Sequence, residues 1–166
     1  MKSMKRHRLG KRETKELLER LSDTLGKKAR KVTLQGRDLE VVDLSSTEKI
    51  FLLNEKAILI EKGGQTIPAL LNGSLLDLMP SVIVDMGAVP HVCNGADIMA
   101  PGIIRVEGEF VAGMLVVIRD ERNHKAIAIG RSLYDSNQFE KKKHGRMVEN
   151  LHFVGDDLWK KIEHAL

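Results

Sequence analysis

The chain of 166 residues is long enough for one ordinary domain or for two small ones. Apolar residues make up 42% and charged residues 30%, a globular composition that argues against a disordered chain. The single cysteine, Cys93, excludes an internal disulfide and a zinc site built from cysteines, and it suits a reducing compartment. No apolar segment follows the basic N-terminus, and the longest apolar run, at 110–118, is about half the length of a membrane span. We therefore expect a cytoplasmic protein with no membrane partner.

Positive charge is concentrated at the N-terminus. Residues 1–31 contain 12 lysines and arginines and 4 acidic residues, whereas the rest of the chain contains 15 and 19. A basic segment on a near-neutral body indicates a polyanionic partner, and nucleic acid before membrane, because no apolar face accompanies the first basic residues. The alternative is a solvated tail that only improves solubility. We predict a basic flexible arm over residues 1–10.

The segment 11–79 is predicted to form a compact N-terminal α+β domain. Leucines recur at helical spacing between residues 11 and 25. Short apolar runs then predict strands near residues 32–34, 39–41, 50–53, 57–60 and 66–70. Gly63 and Gly64 predict a hairpin turn between the last two of these strands. A short helix is predicted over residues 70–79, where Pro80 ends it.

The segment 80–166 is predicted to form a second domain, a small β-barrel with short helices. Its predicted strands lie at 82–84, 103–104, 110–118, 126–129 and 151–154. One short helix is predicted over residues 86–93, with Asp85 as its N-cap, and a closing helix over residues 156–164. The fold class is therefore α+β.

Four motifs occur in order along this second segment. They are VDMGAV from Val84, NGADIMAPGI from Asn94, AIAIG from Ala126, and a closing set made of Gly145, VENLHF from Val148 and DLW from Asp157. Together they resemble a PUA domain, an RNA-binding pseudobarrel found in pseudouridine synthases and archaeosine transglycosylases. The resemblance implies a PUA-type β pseudobarrel with short helices over residues 80–166.

A wider set of residues resembles one family of PUA proteins. The set adds the IPAL motif from Ile67 and Pro80 to the ENLH and DLW motifs at the end of the chain. It is similar to the MCT family of translation proteins, relatives of ligatin that pair a small N-terminal (pre-PUA) domain with a PUA domain. The resemblance spans residues 28–163 and leaves out the basic arm. It implies binding to structured RNA, either rRNA or tRNA, on the small ribosomal subunit during initiation or recycling, with another translation factor as a further candidate partner.

The resemblance also implies which residues form the RNA face, namely the glycine loop, the adjoining strand and the strand near Asn150. The candidates there are Gly87, Ala88, Gly95, Ala96, Asp97, Met99, Pro101, Gly102 and Asn150. Backbone N–H groups at a glycine turn can bind phosphates or 2′-hydroxyls. The same glycines also suit turn geometry and barrel closure, so both roles stay open.

Basic residues of the second segment are candidate phosphate contacts. They are Arg119, Arg131, Lys141, Lys142, Lys143 and Arg146. Residues 79–166 contain 11 basic and 12 acidic residues, so a basic patch there requires the fold to separate the two signs. Solvated loops are the alternative for these lysines. Candidate stacking residues are Tyr134, Phe139 and Phe153.

Catalytic and metal chemistry is not predicted. His91 and Cys93 are two residues apart, so they do not share a helix face. Neither a phosphate-cradling glycine motif nor a nucleophile elbow is present. Residues 73–77 are similar to the neighbourhood of a pseudouridine synthase's catalytic aspartate, but the spacing differs by one and the large base-enclosing domain is missing. We expect a protein that is not an enzyme and has no cofactor and no metal site.

The leading hypothesis is a non-catalytic RNA-binding protein that acts in translation. The alternative is an accessory subunit that delivers tRNA or rRNA to a separate RNA-modification enzyme. A third hypothesis is a protein-interaction module whose PUA domain has lost RNA binding.

Overall fold

The computed structural model describes residues 4–25, 39–70 and 73–165, so the strand predicted near residues 32–34 lies outside the described residues. The first half of the chain forms a five-stranded antiparallel sheet in which the strands follow chain order. Its strands are β1 (Lys5–Arg8), β2 (Leu39–Asp43), β3 (Glu48–Leu53), β4 (Lys56–Lys62) and β5 (Gln65–Pro68). Its helices are α1 (Lys11–Leu25) and α2 (Gly73–Leu76).

The prediction of a flexible arm over residues 1–10 is wrong for its second half. Lys5–Arg8 is strand β1, which pairs antiparallel with β2 from Lys5 opposite Asp43 to Arg8 opposite Glu40. All four residues are exposed and none is apolar, so side-chain burial does not hold the strand. Backbone pairing with β2 and the ion pairs of Arg6 with Glu40 and Glu55 hold it instead. The basic charge is therefore fixed along one edge of the sheet.

Helix α1 and the β4–β5 hairpin form as predicted. The leucine stripe of α1 buries Leu17, Leu21 and Leu25 against the sheet core. Gly63 and Gly64 have φ values of +57° and +81°, the left-handed geometry that a two-residue hairpin turn requires at both positions. Of the helix predicted over residues 70–79, residues 71 and 72 lie outside the described residues, and α2 ends at Leu76, before the predicted end.

The second half of the chain forms a six-stranded sheet in the order β7-β11-β10-β9-β6-β8. Its strands are β6 (Ser81–Val84), β7 (Ile98–Met99), β8 (Ile103–Glu107), β9 (Leu115–Asp120), β10 (Ala126–Ser132) and β11 (Arg146–Phe153). Its helices are α3 (Val89–Val92) and α4 (Asp157–Ala165). All pairings are antiparallel except that of β6 with β9. The predicted α+β class with a PUA-type pseudobarrel is confirmed.

Two predicted elements of this half are shorter than expected. The helix expected at 86–93 is only α3, because residues 86–88 form a turn whose Ala88 N–H is accepted by Asp85 Oδ1 at 2.8 Å. Asp85 thus caps the turn that leads into α3. The strand expected at 110–118 starts only at Leu115, because a turn with Gly113 at φ +91° precedes it.

The β10–β11 pairing depends on Gly130. The register between these strands shifts between Ile129 and Gly130. A Cβ atom at Gly130 would lie 2.3 Å from Val148 Cγ1 and 2.8 Å from the Glu149 carbonyl oxygen. Because one of these neighbours is backbone, no side-chain rotation relieves the clash, and only glycine fits this irregularity.

The two sheets share one hydrophobic core. The cluster that contains the leucines of α1 and the apolar residues of β2–β5 also contains Leu115, Val117 and Ile129 of the second sheet. Leu158 and Ile162 of α4 belong to the same cluster, and Lys161 forms an ion pair with Glu48 of β3. A second cluster fills the interior of the pseudobarrel itself. The helix at the end of the chain thus packs onto the core of the first sheet, and we expect the two halves to behave as one cooperative unit.

None of the helices in the described parts of the chain is long and apolar enough to cross a membrane.

Candidate nucleic-acid interface

A groove of about 510 Å³ opens between the turn before α3 and the segment that follows α3. Most of its lining is apolar or backbone, and residues 85–92 form one wall while residues 96–102 form the other. The structure brings seven of the predicted RNA-face residues together here. They are Gly87, Ala88, Ala96, Asp97, Met99, Pro101 and Gly102.

Close backbone packing fixes the distance between the two walls. The Asp85 N–H donates to the Gly102 carbonyl at 2.9 Å. A Cβ atom at Gly102 would lie 3.0 Å from Ala88 Cβ, so a larger residue would push the walls apart. Gly87 is exposed at the mouth of the groove, and its N–H makes no hydrogen bond within the described residues. That N–H is available to a phosphate or hydroxyl oxygen of a ligand.

Asp97 and Asn150 lock the far wall onto β11. Asp97 Oδ1 accepts the Asn150 N–H at 2.9 Å. The Asn150 side-chain amide donates to the carbonyls of Val92 and Ala96, both at 3.0 Å. Through these bonds Asp97 and Asn150 shape the groove, although the buried Asn150 Oδ1 has no hydrogen-bond partner among the described residues.

Gly95 also has a packing role. Its φ of +92° lies in the left-handed region, and a Cβ atom there would lie 3.2 Å from the ring of Phe153. The Phe153 ring therefore packs against the glycine loop and is partly buried there. Phe139 is buried and packs edge to face on Phe110, with ring centroids 5.3 Å apart.

A basic segment, residues 141–146, ends beside the groove. Arg146 stands opposite Met99 in the β7–β11 pairing, and its Nη1 lies 3.1 Å from Asp97 Oδ2. The Ala100 N–H donates to the Gly145 carbonyl at 2.9 Å, which connects the end of the basic segment to the groove wall. The side chain of Met99 is 48% exposed. The groove thus combines an exposed apolar side chain with nearby positive charge, the pairing that a base and its phosphate require.

The three predicted lysines, Lys141, Lys142 and Lys143, do not line the groove. Lys142 and Lys143 line a second cleft on the other side of the segment 99–104, and Lys142 Nζ lies 4.1 Å from the centre of the Tyr134 ring. This contact covers one face of Tyr134. Lys141 is exposed in the same loop. None of the three forms an ion pair within the described residues.

Arg119 lies away from the groove, where the two halves of the chain meet. Its guanidinium donates to Ser81 Oγ at 3.1 Å, to the His124 carbonyl at 3.1 Å and to Asp77 Oδ1 at 3.2 Å. Only 12% of its side chain is exposed. These contacts make Arg119 a structural link between the segment after α2 and the second sheet.

Arg131 is placed against the first sheet as well. With the Gln65 amide oriented to match the donors, its oxygen accepts a hydrogen bond from Arg131 Nη1 at 2.7 Å. Gln65 begins β5, so this contact joins β10 to the β4–β5 hairpin. The structure thus does not bring Arg119 or Arg131 to the groove.

Asp120 is a buried carboxylate with a structural role. It accepts hydrogen bonds from the backbone N–H groups of Asn123 at 2.6 Å, Arg122 at 2.9 Å and Lys125 at 3.1 Å. These bonds, led by that from Asn123, outweigh burial and hold the pKa of Asp120 below its usual range. Asp120 therefore stays ionised and fixes the β9–β10 turn.

No group of side chains in the described ranges is arranged to hold a metal ion. Burial raises the pKa of the Cys93 thiol, which opposes formation of a nucleophilic thiolate.

Sequence reasoning missed His91 as a groove residue. His91 lies three positions after Ala88 and is exposed, so both side chains face the groove. The helical spacing from Ala88 would have been enough to include it. Its ring adds a polar edge to a groove whose other polar side chains are Asp85 and Asp97 among the described lining residues.

Comparison with known proteins matches both halves of the chain. The PUA domain family matches residues 80–154, and a domain family of unknown function (DUF1947) matches residues 5–72. The crystal structure of a PUA-domain protein from Aeropyrum pernix superposes with a TM-score of 0.85 at 28% identity, covering 97% of this chain and 92% of that one. The fold and the family match therefore define a PUA-domain RNA-binding protein with an additional N-terminal sheet.

Two sequence relatives narrow this class. Translation machinery-associated protein 20 of Schizosaccharomyces pombe is 30% identical over 131 residues, which cover 74% of this chain and 72% of that protein. Malignant T-cell-amplified sequence 1 of Rattus norvegicus is 31% identical over 85 residues, which cover 49% of this chain and 47% of that protein. The chain belongs to the MCT family of translation-associated PUA-domain proteins.

Proposed function

We propose that this protein binds structured RNA on the small ribosomal subunit, rRNA or the tRNA held there, and acts in translation initiation or recycling without catalysing a reaction. The observation that supports this most is the groove with its exposed Met99 and the basic segment ending at Arg146. The names of its relatives link them to the translation machinery. The protein works in the cytoplasm, where another translation factor is a further candidate partner.

The groove favours recognition by shape together with a few unpaired bases. Gly87, Ala88, Ala96 and Gly102 keep parts of its walls small, so an RNA backbone can approach closely there. Its carboxylates Asp85 and Asp97 each accept a backbone N–H, and Asp97 also forms an ion pair with Arg146, so their repulsion of phosphates is reduced. In this proposal Met99 packs against a base, while Arg146 and Lys141 contact phosphates. Lys142 and Lys143 lie on the far side of the same segment.

Co-sedimentation with purified small ribosomal subunits, with and without bound tRNA, tests the proposal. The wild-type chain should bind saturably at near-physiological salt and respond to tRNA. Met99→Glu places a carboxylate in the groove and should weaken binding at least about ten-fold, that is by about 1.4 kcal/mol. Val111→Glu is the matched control, because Val111 is also an exposed apolar residue, at 57%, and is not part of the groove lining.

Two results would contradict the proposal. One is binding that disappears at near-physiological salt, since that behaviour belongs to nonspecific attraction between basic residues and RNA. The other is equal binding by the Met99→Glu and Val111→Glu variants. Stable association with an RNA-modification enzyme, without subunit binding, would favour delivery of RNA to that enzyme.

A further inference from the structure

Strand β8 ends the second sheet and has one open edge. Among the described residues, β8 is the last strand of the order and pairs with β6 alone. The opposite end of the sheet is the two-residue strand β7, which pairs only with the first part of β11. The edge of β8 that faces away from β6 is five residues long.

The pairing pattern shows which backbone groups point outward. The Val84 carbonyl of β6 accepts a hydrogen bond at 3.0 Å from the N–H of Glu121, the residue that follows β9, so by alternation Ile83 faces β8, where it stands opposite Arg105. By the same alternation we infer that the backbone groups of Val106 and, across the register shift between Ile83 and Val84, those of Ile104 point away from β6. Among the described strands, β8 has no partner on that side.

This edge borders a cleft of about 390 Å³, which we call the β8 cleft. It lies between residues 100–106 and the loop of residues 139–143. Polar and apolar surface line it about equally, and the side chain of Ile104 is 49% exposed. Lys142 and Lys143 stand on its rim, where Glu140 is the acidic residue among the described lining side chains. The cleft therefore combines an open strand edge, apolar surface and positive charge.

We propose that the β8 cleft binds an extended acidic segment of a partner protein, which adds to the second sheet as a strand beside β8. Charged side chains often protect an open edge, and β8 carries Arg105 and Glu107, which pair with each other, next to the exposed apolar Ile104. A strand added to an edge gains main-chain hydrogen bonds, and pockets for alternate side chains select its sequence. Aspartate or glutamate side chains match the two lysines, and an apolar side chain matches Ile104.

The geometry fixes the length of the bound segment. A strand of five residues spans about 17 Å, so a partner segment of four to six residues covers the edge. The outward groups of Ile104 and Val106 offer two N–H donors and two carbonyl acceptors. They recur every second residue, which is the repeat of a peptide backbone.

A protein segment fits the cleft better than RNA does. A nucleotide chain has no alternating donors and acceptors that match a strand edge. The nearby aromatic rings are also occupied, because Phe139 is buried and Lys142 covers a face of Tyr134. The β8 cleft and the groove lie on opposite sides of the segment 99–104, and they share only Pro101 among their lining residues. The β8 cleft is therefore a second site, and it does not depend on the proposed RNA function.

Fluorescence anisotropy of the full chain with a labelled probe peptide tests this inference. The probe is a capped eight-residue peptide in which aspartate and valine alternate. We expect saturable binding at near-physiological salt, and at least about ten-fold weaker binding by a peptide in which lysine replaces aspartate. Methylation of alternate backbone nitrogens keeps the charge of the probe but removes the donors, and it should weaken binding by a similar factor.

A matched pair of variants tests the strand edge itself. Ile104→Pro removes an outward N–H that β6 does not use, a position where proline is tolerated. Ile104→Ala removes the same side chain but keeps the N–H. The proline variant should bind the probe at least about five-fold more weakly than the alanine variant. If Ile104→Pro does not fold, the methylated peptides measured on the wild-type chain decide the question.

The inference is overturned if the wild-type chain shows no saturable binding of the probe, or if the two Ile104 variants bind it equally. Unchanged affinity and salt dependence after Lys142→Ala and Lys143→Ala would also overturn it. Displacement of the probe by oligouridylate would assign the cleft to nucleic acid. A dimer detected by light scattering and abolished by Ile104→Pro would assign it to a second copy of the chain. Met99→Glu, which tests the RNA proposal, should leave probe binding unchanged.

Discussion

The shared core makes a quantitative prediction about the last helix. Leu158 of α4 is 2% exposed and belongs to the cluster that also contains the apolar residues of β2–β5. Replacing it with alanine removes buried methyl groups from a core that both sheets use. We expect Leu158→Ala to destabilise the first sheet as well as the pseudobarrel.

The size of the effect follows from its burial. A fully buried leucine replaced by alanine lowers the free energy of unfolding by about 2–5 kcal/mol, depending on how far the cavity collapses. With a central value of about 3 kcal/mol, Tm should fall by about 6–12 °C for a chain of this size. That loss is a large part of the total stability of about 5–15 kcal/mol that is typical of natural proteins.

Urea unfolding followed by two probes measures this effect. Trp159 is the single tryptophan of the chain and lies in α4, where it packs against the shared core. Its fluorescence therefore reports on α4, whereas far-ultraviolet circular dichroism reports on all elements. In each of the two chains, the fluorescence midpoint should equal the circular dichroism midpoint. The common midpoint of Leu158→Ala should lie at a lower urea concentration than that of the wild type. Glu163→Ala is the matched control on the exposed side of α4, and it should change stability by less than about 0.5 kcal/mol.

Hydrogen exchange supplies the result that would refute the reasoning. Because Ile50 and Leu52 of β3 are buried in the shared cluster, their amide protection should fall with that of β9 in Leu158→Ala. Unchanged protection in β3 would show that the two sheets unfold independently. Separate transitions for tryptophan fluorescence and circular dichroism would lead to the same conclusion.

Two further predictions concern single polar side chains. Arg119→Met removes three hydrogen bonds of a nearly buried guanidinium and should cost about 2–3 kcal/mol of stability in urea unfolding while leaving subunit binding unchanged. Weaker subunit binding by the folded variant would instead show that Arg119 contributes to RNA binding. Asp120 has a lowered pKa in the folded state, so its ionised form contributes stability at pH values above the unfolded pKa, near 4, and this contribution is lost as the pH falls through the folded pKa. The stability deficit of Asp120→Asn should therefore be full at pH 7 and shrink below about pH 4, whereas a constant deficit from pH 7 to pH 3 would argue against this role.

Much of the fold follows from patterns that are local in the sequence. The leucines of α1 and the apolar runs of β2–β4 are buried as their spacing predicts. The β4–β5 turn follows from two adjacent glycines. Strand β1 could not be predicted in this way, because its four residues carry no apolar alternation and its extended shape depends on a partner strand more than thirty residues away. The short helices were overestimated because the turns beside them have apolar sequences.

The candidate site was predictable where motifs determine backbone shape. The glycine loop and the segment after it form the groove, since Gly102 and Ala88 must be small for the walls to meet. The contacts that the charged residues make within the chain could not be predicted from the sequence. Arg119, Arg131 and Lys142 each meet a residue that is distant in sequence or belongs to a neighbouring loop, namely Asp77, Gln65 and Tyr134. A count of basic residues therefore overestimates how many are available to phosphates.

The packing of α4 onto the first sheet has a consequence for binding through two surfaces at once. If two surfaces on the two sheets touch two places on one large assembly, the second contact forms without the entropy cost of restraining a flexible linker. The spacing between those places must then match the spacing between the sheets, because no linker adjusts it. Such a chain binds tightly where the spacing between the two places fits. Where the spacing does not fit, the second contact contributes nothing to the affinity.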